Sequence, residues 1–117
     1  MAKKKNIEKV GLTYKGVSYD LVFNLNVMEQ IQDEYGTVSA WGDLTDKAAE
    51  PNAKAVIFGL MCMLNEGIDI YNEDNEEQRP FLTSKQVGRM ITEIGLAEAA
   101  QKLNDSVINS TKSEEKN

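Results

Sequence analysis

The commonest general base and the commonest zinc ligand are both missing from this sequence, which contains no histidine among its 117 residues. Its one cysteine, Cys62, stands between Met61 and Met63 with no basic residue beside it in sequence, so it reads as a packed, unreactive thiol and not as an activated nucleophile. A lone cysteine also excludes an intrachain disulfide and suits a reducing compartment. Carboxylates gather in Glu66, Asp69, Glu73, Asp74, Glu76 and Glu77, and Asp69, Asn72, Glu73 and Asp74 offer oxygen ligands close together. An EF-hand loop, however, needs glycine at its sixth position and glutamate at its twelfth, and counting from Asp69 those positions hold Asp74 and Pro80. Acidic residues on a solvated segment also lack the burial and fixed separation that glycoside chemistry requires of a carboxylate pair. The glycines never gather into a phosphate-cradling loop ahead of a helix. The expectation is a protein with no catalytic residues, no cofactor and no metal, hence not an enzyme.

What remains is the chemistry of contact. Met61 and Met63, with Trp41 and Tyr71, are the residues suited to an adaptable surface for a partner's helix. Ordinary core packing is the default expectation for each of the four taken singly. The partner is not expected to be nucleic acid: a formal charge of −6 and a pI near 4.7 oppose the counterion release that drives phosphate binding. Lys3, Lys4 and Lys5 read as a solvated tail. No apolar leader follows them and no run approaches membrane-spanning length, so a cytoplasmic protein without a membrane partner is expected.

The elements that must position these side chains are legible in part. Val10, Leu12 and Tyr14, then Val17, Tyr19, Leu21 and Phe23, alternate with polar residues as in strands with one buried face. A turn at Lys15 and Gly16 sets Tyr14 opposite Val17, Leu12 opposite Tyr19 and Val10 opposite Leu21, a self-consistent hairpin. Such a ribbon is marginal alone and must lie on helices. A first helix is capped by Asn24 or Asn26, carries Met28, Ile31 and Tyr35, and ends at Gly36. Residues 37–50 read as a loop or short helix anchored by Trp41 and Leu44.

After Pro51 and Asn52 comes the most apolar stretch, a helix from Ala53 to Asn65 closed by Gly67, followed by an exposed acidic loop over residues 66–79. A helix apolar nearly all round either lies at the centre of a fold or presents one side to a partner. Thr83 and Gln86 stand at capping-box spacing, with Leu82 and Val87 at the positions of a hydrophobic staple. The helix they open buries Val87, Met90, Ile91 and Ile94 and breaks at Gly95. A last helix carries Leu96, Ala100, Leu103 and Val107, with Glu98 and Lys102 spaced to pair. The expected fold is α+β and mainly α-helical, an N-terminal β-hairpin packed against a bundle of about four to five helices. One domain spans residues 10–108, with flexible tails at 1–9 and 109–117.

In this order the features resemble the tail assembly chaperones of long-tailed bacteriophages, in particular the short forms of siphophages infecting Gram-positive hosts. The resemblance runs over residues 10–110. It is carried by Tyr19-Asp20-Leu21-Val22-Phe23 leading through Asn24 into a helix ending Glu34-Tyr35-Gly36, by the apolar helix around residues 60–64 and the acidic segment, and by Phe81-Leu82-Thr83-Ser84-Lys85-Gln86-Val87-Gly88 before two closing helices. It implies a virion-assembly protein of the host cytoplasm that holds the long, coiled-coil-rich tape measure protein until the tail tube polymerises around it, and that is absent from the mature virion. The tail tube protein and a second copy of the chain are further candidate partners. In many such proteins a ribosomal frameshift appends a further C-terminal domain. The alternative is a small phage structural or regulatory adaptor that binds a different protein.

Overall fold

The structure, a computed structural model, describes residues 10–45 and 47–115. The alternating segment forms an antiparallel hairpin of β1 (Val10–Tyr14) and β2 (Val17–Leu21), with Tyr14 opposite Val17, Leu12 opposite Tyr19 and Val10 opposite Leu21. Lys15 and Gly16 take positive φ of 51° and 79°, the turn whose twist matches the strands it joins. Leu12 and Leu21 are buried against the helices. Five helices follow among the described residues: α1 (Leu25–Tyr35), α2 (Val38–Leu44), α3 (Ala53–Asp74), α4 (Ser84–Ile94) and α5 (Leu96–Glu115). The fold is therefore α+β and mainly helical. The expected tail over residues 1–9 lies outside the described residues.

Four helices begin by one device. The side-chain oxygens of Asn24, Thr37, Asn52 and Thr83 accept from the backbone N–H three residues on, at Val27, Ala40, Ala55 and Gln86, satisfying donors that have no partner inside the helix. At α4 the device is reciprocal, since the Thr83 N–H donates to Gln86 Oε1 at 2.9 Å. In α1 the fully buried residues are Val27 and Ile31, whereas Met28, expected on the inner stripe, is half-buried.

Helix α3 organises the rest. Its 22 residues span about 33 Å at 1.5 Å per residue, close to the length of a molecule measuring 39 × 34 × 25 Å. It touches β2 and each of the other helices. It does not stop at Gly67 as expected, and the supposed acidic loop is helical as far as Asp74. The physical reason is a close approach: a Cβ on Gly67 would sit 2.7 Å from the Asp20 carbonyl oxygen, so glycine here lets β2 lie directly on the helix. Glu66, far from being loose, accepts from Asn24 Nδ2 at 2.8 Å and Asn26 Nδ2 at 3.1 Å, beside the positive end of α1.

The chain then returns along α3 through residues 75–83, held by two asparagines seven positions apart. Asn65 donates to the Leu82 carbonyl at 3.0 Å and accepts from its N–H at 2.8 Å. Asn72 treats Arg79 the same way, at 3.0 and 2.9 Å. Each side-chain amide thus acts as a strand partner for a segment that has none. Replacing either by alanine removes a partner from one N–H and one C=O together and is expected to cost about 1–3 kcal/mol. Urea unfolding measures the loss, and limited proteolysis should show earlier cleavage within 75–83; unchanged midpoints would contradict it.

Two further expectations are corrected. Leu44 is no anchor but 39% exposed, and the buried group at that corner is Thr45, whose hydroxyl donates to the Trp41 and Gly42 carbonyls, closing the end of α2. Residues 109–115 are helical and not a loose tail, because α5 continues to Glu115; the polar segment contains Lys and Glu, which favour a helix already nucleated. Lys102, expected to pair with Glu98, reaches instead the Gly11 carbonyl at 3.3 Å and ties α5 to β1.

Candidate functional site

Two stripes run along the first half of α3. Val56, Leu60, Met63 and Leu64 are fully buried in the core. Lys54, Ile57, Phe58 and Met61, at spacings of three, four and seven, form the second stripe, and Ser84, Lys85 and Gly88 of α4 face it across an open groove of about 640 Å³. The three apolar residues of the stripe are only half-buried, so the groove presents an apolar floor.

Its direction follows from two contacts. Asn65 of α3 holds Leu82 just ahead of α4, while a Cβ on Gly88 would meet Ile57 Cδ1 at 3.7 Å. The helices therefore run antiparallel, with Lys85 at the Met61 end and Lys54 about 10 Å away along α3 at the other. Two lysines thus stand at opposite ends, and among the described residues no carboxylate lines the groove. In a chain with 19 acidic and 13 basic residues that is a local reversal of sign. A smaller hollow of about 300 Å³, bordered by Phe81, Glu66 and Asp69, has acidic walls.

The floor is braced from behind. Phe58 packs edge-on against Tyr35 with ring centroids 5.7 Å apart. The Tyr35 hydroxyl is buried with no hydrogen-bond partner among the described residues. Burial, then the charge of Glu34 and the proximity of Cys62, raise its pKa.

The four residues expected at a partner surface separate. Trp41 is 2% exposed and Met63 fully buried: both belong to the core, Trp41 donating its indole N–H to the Ala55 carbonyl at 3.0 Å. Tyr71 is half-buried beneath Arg79, whose guanidinium lies 4.0 Å from the ring centroid and donates to the Ser18 carbonyl. Only Met61 lines the groove. Lys54, Ile57, Phe58, Lys85 and Gly88 were missed, although the stripe over residues 54–61 has helical spacing and could have been found in the sequence.

Cys62 is buried, and desolvation pushes its thiol from 9.0 up to about 11. Native protein at neutral pH is therefore expected to resist thiol reagents that label it fully once unfolded. The same shift carries a sign for stability. The unfolded chain loses this proton near pH 9 while the folded chain keeps it, so the contribution is intact below about pH 9 and lost as pH climbs towards 11. Urea midpoints for the native chain and Cys62→Ala across that window check it: the native chain should show the steeper fall.

Among the described residues no three Cys, Asp or Glu side chains converge to hold a metal ion, and no helix is long and apolar enough to cross a membrane. Comparison with family models, with curated proteins and with solved structures finds no match.

Proposed function

We propose that this chain is a phage tail assembly chaperone, a binding protein that holds the tape measure protein in the host cytoplasm until the tail tube assembles around it. The observation that carries the reading is the groove between α3 and α4: a preformed, half-buried apolar floor just over one helical turn long, left uncovered on the chain's most apolar helix. A holdase for a coiled-coil protein needs such a surface, together with a charged exterior and no group that makes or breaks bonds. The resemblance over residues 10–110 supplies the identity of the partner.

Co-expression with candidate tape measure proteins followed by affinity capture tests the reading. A complex that stays in the soluble fraction is expected, while the tape measure protein alone precipitates. Absence of a complex, or a stoichiometric band of this chain in purified virions, contradicts it.

A further inference from the structure

We propose that the α3/α4 groove seats one heptad-patterned helix of a partner protein whose apolar stripe is flanked by Glu or Asp. The inference rests on the reading of this chain as a binding protein and deepens it by naming the chemistry of what is bound. The floor made by Ile57, Phe58 and Met61 is straight, because it lies along a single helix, and about 6 Å long, the rise of just over one helical turn. An apolar stripe with a repeat of seven residues covers such a floor once per heptad.

Charge decides which helices fit. In a heptad helix the residues flanking the stripe lie on either side of it, and here the groove offers them Lys54 of α3 at one end and Lys85 of α4 at the other. Flanking carboxylates about one heptad apart come within reach of both lysines; lysines at the same positions meet like charge. The net negative charge of the chain works in the same direction as selection, since it attracts a basic helix non-specifically and disfavours an acidic one away from basic side chains. A second copy of this chain is the competing occupant.

Two designed peptides of four heptads, with identical leucine stripes and either Glu or Lys at every flanking position, are the probes. Like charges keep each from pairing with itself. Titrated into the full-length chain, the Glu peptide is expected to bind about tenfold more tightly than the Lys peptide, the effect of two exposed ion pairs replaced by two repulsions, and to weaken as salt is raised. The double variant Lys54→Glu, Lys85→Glu should erase or invert that preference.

Gly88→Leu fills the groove, and the position is open except for Ile57 Cδ1 at 3.7 Å; it should abolish binding of the Glu peptide with the thermal midpoint retained or raised, since leucine favours a helix more than glycine does. Equal affinity for both peptides, binding indifferent to Gly88→Leu, or self-association of the chain that Gly88→Leu disrupts would overturn the proposal. Failure to capture a tape measure protein while the Glu peptide binds selectively would refute the family reading alone; capture without any preference of charge would refute this inference alone.

Discussion

Trp41→Ala is expected to destabilise the protein by about 3–5 kcal/mol, the range for removing a large buried aromatic. The indole is the largest buried side chain among the described residues and stacks on Phe23 at 6.5 Å with the rings nearly parallel. Its enclosure is reciprocal with Gly59 of α3, where an added Cβ would lie 2.4 Å from Trp41 Cζ2 and 3.1 Å from Leu103 Cδ1. Glycine in the middle of a long helix is there because the indole occupies the space a side chain would need.

That geometry makes a sharper prediction than the loss alone. Gly59→Ala in the native background overpacks the site and is expected to cost about 1–3 kcal/mol. In the Trp41→Ala background the same methyl enters a cavity, where helix propensity alone favours alanine by about 1 kcal/mol, so the effect should change sign. A double-mutant cycle by urea denaturation measures the coupling. Additive losses would show that the indole and the glycine do not depend on each other.

The second large effect concerns binding with the fold preserved. Met61 is half-buried on the groove floor, at the end nearest Lys85. Met61→Asp places a carboxylate where an incoming helix must bury apolar surface, and losing one central contact of this kind costs about 2 kcal/mol, on the order of thirtyfold in affinity. The expected outcome is loss of the proposed tape measure complex with a thermal midpoint shifted by only a few degrees, since the position is not part of the enclosed core. Met63→Asp, two residues on but fully buried, should instead unfold the protein. Comparing the two variants by thermal melting and by affinity capture separates surface from core on the same helix.

How much of this was legible before the structure depended on whether a residue type has one structural meaning or two. The hairpin register was readable because alternation and the Lys15-Gly16 turn admit a single pairing, and the start of α4 because Thr83 and Gln86 fit one reciprocal arrangement. Gly67 was misread because glycine serves both as a helix terminator and as a place for close backbone approach, and only the position of Asp20 decides between them. Once the helix was ended there, the acidic residues after it looked like a loop, and Asn65 and Asn72 lost their shared face.

Trp41 and Met63 are candidates for a contact surface in the sequence, with core packing the default, because size and apolarity do not tell inside from outside; both are core residues. The groove was half visible. The stripe from Lys54 to Met61 is written in the spacing of α3, but the placement of Lys54 and Lys85 at opposite ends of one groove depends on α4 running antiparallel to it, and that is fixed by the hold of Asn65 on Leu82.

The most direct measurement is the map of backbone amide chemical shifts in the full-length chain as a soluble fragment of tape measure protein is added. The expected perturbations are concentrated at residues 54–61 of α3 and 84–88 of α4, with the hairpin and α5 unchanged. Saturable perturbations centred elsewhere, or none at concentrations where the fragment is in large excess, would contradict the assignment of this groove as the surface through which the protein works.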